Sequence, residues 1–173
     1  PGRLKRGLVP HLEAGPPLAP GQQIVVSVET RFKDASGCDL AASAQRRYRI
    51  GRALRRRVDP SKWTLRSPVQ GSRQPLRVRF ERSLDRAQLE HSLLVLGPFG
   101  PVPGSGTVGR AESSWGFTPA EAWRPGSYSL AVDSRLEDLA GNSLARVFDR
   151  DLERAEDDPI EGTRFVLPIA IRS

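Results

Sequence analysis

A twenty-residue stretch, WRPGSYSLAVDSRLEDLAGN over residues 123–142, constrains this chain more than any other part of it. Pro125 presets its own φ and Gly126 accepts positive φ, so a tight turn delivers the chain into a strand. Tyr128, Leu130 and Val132 then alternate with Ser127, Ser129, Ala131 and Asp133, the period of a strand with one buried and one wet face. In the segment 138–142 an aspartate that can bond the backbone two residues on precedes Gly141, which can reverse the chain in the left-handed region toward Leu144.

The same unit occurs earlier, in PGQQIVVSVETRFKDASGCDL over residues 20–40. Ile24, Val26 and Val28 match Tyr128, Leu130 and Val132, while Phe32, Asp34, Gly37 and Leu40 match Leu136, Asp138, Gly141 and Leu144, every pair 104 positions apart. A constant offset marks an internal repeat. The Pro-Gly pairs lie 105 apart, so the earlier copy carries one extra residue, Gln22. An offset of this size is about that of one β-sandwich domain.

The run FTPAEAWRPGSYSLAVDSRLEDLAGNSL, with LRVRFERSLD upstream at residues 76–85, resembles the bacterial Ig-like domains of the SbsA type, found in surface-layer and other envelope proteins. The resemblance covers roughly residues 60–150. It implies an all-β, immunoglobulin-like β-sandwich and an extracytoplasmic, secreted or cell-envelope location, as a spacer or adhesive module, and it carries over no catalytic residue. The expected organisation is the C-terminal half of a first Ig-like domain over residues 1–54, a linker over 55–62 and a complete domain over 63–173.

Residues 1–19 read as an ordered crossing loop with one helical turn, leading to a strand over 23–29. AQRRYRIGRALRRR, from Ala44, reads as the closing strand of the first unit, with Tyr48 and Ile50 inward and Arg47 and Arg49 outward. The repeat offset puts the early strands of that unit outside this chain, so its apolar face needs a cover from another polypeptide, from the remainder of the same protein or from the second domain. In the second domain, strands are expected at Trp63 and Leu65, at 76–80, 93–96, 115–117 and 127–133, at 146–149 and finally at 164–171, about seven in all. GPFGPVPGSGTVG reads as a loop. Tyr128 stands where a sandwich's corner tyrosine would, with its ring buried and its hydroxyl returning to backbone.

Charge is unevenly placed. Residues 1–57 hold twelve Arg and Lys against four Asp and Glu, about +8, whereas the remainder holds fifteen against sixteen, about −1. Arg46, Arg47, Arg49, Arg52, Arg55, Arg56 and Arg57 form a candidate polyanion site. The alternative is a solvated edge strand whose charges prevent edge-to-edge pairing, and no aromatic series for base stacking accompanies the arginines. In DRDLERAEDDPIEG, the carboxylates of Asp149, Asp151, Glu153, Asp157 and Asp158 are dense enough to suggest a calcium site, but the EF-hand order is absent and solvated loop charge is the reading preferred.

No catalytic motif is present. The two histidines, His11 and His91, lie far apart and lack any metal-binding or nucleophile context, which leads to the expectation of a non-enzyme without cofactor. The single cysteine, Cys38, excludes an internal disulfide and falls in an exposed turn. No apolar run approaches the roughly 18 residues needed to span a bilayer as a helix. An accessory glycan-binding role would need an exposed coplanar pair among Trp63, Trp115 and Trp123; burial of all three removes it.

Overall fold

A computed structural model describes residues 9–15 and 17–172, and shows a mostly β chain with antiparallel sheets. It divides into two compact units at Leu54 and Arg55. The part of the expected crossing loop at residues 1–8 and 16 lies outside the described residues.

In the first unit, helix α1 (Val9–Ala14) supplies the helical turn expected in that loop. Strands β1 (Gln23–Val28) and β2 (Ala44–Arg49) form an antiparallel hairpin in which Ile24 faces Tyr48, Val26 faces Arg46 and Val28 faces Ala44. The Pro-Gly turn enters it as the sequence requires. Gly21 has φ +89, and its N–H donates to the Ile50 carbonyl at 2.8 Å, extending the ladder by one step.

The described residues of the second unit form eight strands, one more than expected, in two four-stranded antiparallel sheets. These are β3 (Thr64–Arg66), β4 (Leu76–Arg79), β5 (Leu93–Gly97), β6 (Gly100–Pro101), β7 (Gly104–Val108), β8 (Ser114–Pro119), β9 (Tyr128–Asp133) and β10 (Arg164–Ile169), with a short helix α2 (Arg86–Leu89) before β5. One sheet has the order β3-β4-β8-β7 and the other β10-β9-β5-β6. Alternation decides which residues face inward. On β4, Leu76 and Val78 are buried while Arg77 and Arg79 are exposed; on β8, Trp115 and Phe117 are buried between half-buried neighbours.

The two sheets share one core. Val78 and Phe117 from the first join Val95, Leu130 and Val132 from the second, together with Phe80, Leu84, Leu89, Leu136 and Leu144 from the connections. Burying each large aliphatic side chain contributes about 1.5–3 kcal/mol. Aromatic rings close the core at both ends: Trp63 meets Phe80 edge-on at 4.7 Å, and Trp123 meets Tyr128 edge-on at 5.3 Å. The Tyr128 hydroxyl accepts from the Arg124 backbone N–H at 3.3 Å, the return to backbone expected from sequence, while the residue is half-buried and not fully buried.

Three expectations need correction. The segment 146–149 forms no strand, because Asn142 and Ser143 capture its backbone: Asn142 Oδ1 accepts from the Phe148 N–H, and the Ser143 N–H donates to the Arg146 carbonyl. Side-chain caps of this kind give the backbone an alternative to a ladder. The loop GPFGPVPGSGTVG contains two strands, β6 and β7. Glycine hides β7 from a propensity reading, yet its glycines are required by packing. A Cβ at Gly104 would lie 2.5 Å from the Phe117 ring, and one at Gly106 would lie 2.9 Å from the Trp115 indole nitrogen. Residues 55–62 are packed against the second unit and do not run free. Val58 is in its core, and the Val58 N–H donates to the Ser143 carbonyl.

Candidate functional site

The repeated sequence builds the same loop twice. Asp138 Oδ1 accepts from the N–H groups of Ala140 and Asn142, both at 2.9 Å; Asp34 Oδ1 accepts from those of Ser36 and Cys38, at 2.8 and 2.9 Å. Gly141 and Gly37 follow with φ +77 and +82. The isolated bridge between Glu137 and Ser143 matches that between Lys33 and Asp39. Each loop leaves the corresponding strand, β9 or β1, and in each case that strand pairs antiparallel with the strand that follows the loop.

The surroundings of the two copies differ. In the second unit Leu130 and Val132 are fully buried, and β9 lies between β10 and β5. In the first, β1 pairs among the described residues only with β2. Val26 is 49% exposed and Tyr48 49%, while Ile24 and Val28 are half-buried. This face carries the same apolar pattern as β9 without its cover. Phe32, matching the fully buried Leu136, is exposed as well.

The candidate arginines do not form one surface. Direct cross-strand pairing puts Arg46 on the face of Val26, whereas Arg47 and Arg49, opposite Val25 and Gln23, share the other face. Arg52 and Arg55 are exposed in the irregular segment beyond β2. Arg56 and Arg57 are tied into the second unit: Arg56 pairs with Glu81 at 3.4 Å, and Arg57 Nη1 donates to the carbonyls of Glu156 and Asp158 at 3.0 and 2.7 Å.

Three of the five candidate carboxylates of the acidic loop serve local structure. Asp157 is buried, and its Oδ2 accepts from the Asp151 N–H at 2.9 Å; Asp151 Oδ1 accepts from the Glu153 N–H, and Asp158 pairs with Arg150. Asp149 stands exposed beside them. Among the described residues no three His, Cys, Asp or Glu side chains converge as metal ligands. Cys38 is an exposed free thiol at the tip of the first loop, and His91 is exposed after α2.

All three tryptophans are buried, at 7, 5 and 2% exposure for Trp63, Trp115 and Trp123, which removes the sugar-stacking platform that the sequence left open. Trp123 is an anchor instead. Its indole N–H donates to the Gln74 carbonyl at 2.8 Å, and its backbone exchanges bonds with Gly71 and Ser72.

Two arrangements were not singled out from sequence. Asp138, almost fully buried, pairs with Arg82 at 3.1 Å, and Arg82 Nη2 donates to the Arg56 and Arg57 carbonyls, so the repeated loop is locked to residues 56–57 through one guanidinium. The other is the outer face of the β3-β4-β8-β7 sheet, where Arg66, Arg77 and Arg79 stand together; only the outward alternation on β4 signalled it. No protein-family model matches the chain, and neither a curated protein nor a solved structure is detectably similar to it.

Proposed function

We propose that this protein is a non-catalytic structural and interaction module of a bacterial envelope or secreted protein, built from Ig-like sandwiches of the SbsA type arranged in tandem. The strand orders β3-β4-β8-β7 and β10-β9-β5-β6 support this reading, since they follow the ABED and GFC sheets of an immunoglobulin-type sandwich with one added strand beside C. In that scheme β1 and β2 are the last two strands of a preceding sandwich. The observation that carries the proposal is the pairing of one hydrogen-bonded loop, used twice, with an apolar strand face that is covered in one unit and open in the other.

The open face is then the interaction surface, completed by further strands from the remainder of the same protein or from a partner. Large apolar side chains left in water forgo about 1.5–3 kcal/mol each, more than a two-stranded hairpin readily gives up. Polyanion binding through the seven arginines of residues 46–57 stays secondary, because two of them are already engaged and Arg46 lies on the strand face opposite to that of Arg47 and Arg49. Replacing His11 and His91 together is expected to leave the function intact.

Amide hydrogen exchange tests the proposal. In a verified monomer of residues 1–173, Val26 and Val28 are expected to exchange orders of magnitude faster than Leu130. Equal protection would show that the first unit covers itself, and would overturn the reading.

A further inference from the structure

We propose that the outer face of the β3-β4-β8-β7 sheet in the second unit binds an acidic polysaccharide, through Arg66, Arg77 and Arg79. Register places these side chains together. Arg66 is directly opposite Arg77, and Arg79 follows two residues along β4, opposite Thr64 on one side and Ser114 on the other. Leu76 and Val78 are buried, so the arginines between and after them must point outward. Cationic side chains directly opposite each other on a sheet disfavour the pairing. This sheet keeps such a pair, and among the described residues no carboxylate pairs with either member.

Several other arginines of the same unit are engaged. Arg56, Arg82, Arg86 and Arg135 each pair with a carboxylate. Among the described residues no ion pair or side-chain hydrogen bond engages Arg66, Arg77 or Arg79. They border a concavity of about 790 Å³ with no acidic residue in its lining. Gly116, opposite Arg77, keeps its floor low, and a Cβ there would meet only one atom, at an ordinary 3.8 Å, so no packing constraint requires glycine.

The rest of the lining selects the class of ligand. Thr107, Ser114 and Thr118 supply hydroxyls, which suit a polyhydroxylated chain carrying carboxylate or sulfate groups that guanidinium can hold in two-pronged fashion. Trp115 contributes to the lining but its ring is buried in the core, so no aromatic face is offered to stack a nucleobase. No large apolar side chain stands exposed in the concavity as an anchor for a protein partner.

Titration of the whole chain with heparin and with polygalacturonate, by calorimetry at low ionic strength, separates sulfate from carboxylate recognition. The chain is expected to bind at least one of them, with affinity falling as salt rises. Arg77→Gln with Arg79→Gln should weaken binding about tenfold or more, as charge-assisted contacts are lost. Gly116→Glu, which adds a carboxylate among the arginines, should do the same with an unchanged unfolding midpoint; Arg66→Gln on the edge strand is the substitute if either variant folds poorly. Arg47→Gln with Arg49→Gln, in the other unit, should bind as the parent does. The proposal is overturned if neither polysaccharide binds, if the sheet variants bind like the parent, if the Arg47 and Arg49 variant loses binding instead, or if single-stranded DNA is bound more tightly than both polysaccharides.

Discussion

Gly141 and Gly116 show how differently two glycines of one unit are used. Gly141 holds φ +77 and has the Phe148 ring 2.7 Å from where a Cβ would stand, whereas Gly116 lies in a strand with open space around it. Alanine at 141 is expected to cost about 1–3 kcal/mol, from the left-handed backbone and displacement of the ring. Alanine at 116 should change stability by less than about 0.5 kcal/mol. Urea unfolding of both variants checks this, and equal losses would refute the account. Two carboxylates give a pH expectation. The Ser61 hydroxyl and N–H, with Lys62 nearby, hold the Asp59 carboxyl below its ordinary 3.8, and the Arg135 guanidinium and N–H do the same for Asp133. A depressed folded value means that the stabilisation is present above pH 3.8 and is lost as pH falls through the folded value. Carbon-detected NMR titration should place both midpoints under 3.8; a midpoint at or above it for either residue would contradict the hydrogen-bond geometry.

At the level of elements, β9 organises the second unit because it lies between β10 and β5 and sends Leu130 and Val132 into the shared core. Leu130→Ala should cost about 2–5 kcal/mol, through lost burial and the cavity left behind. A loss under about 0.5 kcal/mol in chemical denaturation would place that face outside the core. The position and inward residues of this strand were legible in sequence, as were those of β4 and β8, because alternation is the sequence record of a half-buried sheet; Ala131, expected on the wet face, is buried instead. The glycine strand β7 was not legible: its residues satisfy a close approach to Trp115 and Phe117, and close approach leaves no period. Nor was the failure of residues 146–149 to pair, since it depends on Asn142 and Ser143 reaching forward to backbone that apolar patterning alone assigns to a strand. The outward arginines of β4 could be read as outward, but their juxtaposition with Arg66 required the register of β3.

Over the whole molecule, the two units differ in how much of themselves they bury. Residues 55–173, expressed alone, should unfold cooperatively with an unchanged midpoint, whereas residues 1–54 alone should show no cooperative transition. A sharp transition in the shorter piece, followed by circular dichroism, would show that its hairpin needs no cover. The matched spacing of the two Asp-Gly loops was legible in sequence, because each loop's hydrogen bonds start from one aspartate and its reversal from one glycine. The pairing of Val26 with Arg46 has a kinetic consequence. Hairpins of one plan would compete during folding for the same place beside β5, since misassembly between like modules is a characteristic failure of repeat proteins. An intruding first hairpin would bring Ala44, Arg46 and Tyr48 to the places where Phe165, Leu167 and Ile169 pack, since Val28, Val26 and Ile24 pair with the former as Val132, Leu130 and Tyr128 pair with the latter. The small side chain leaves a void and the guanidinium resists dehydration, so the wrong hairpin is rejected by chemistry written on its second strand. Ala44→Phe with Arg46→Leu should erase that distinction and lower the yield of native monomer on refolding by dilution; an unchanged yield would mean that the order of synthesis, and not side-chain identity, keeps the two copies apart.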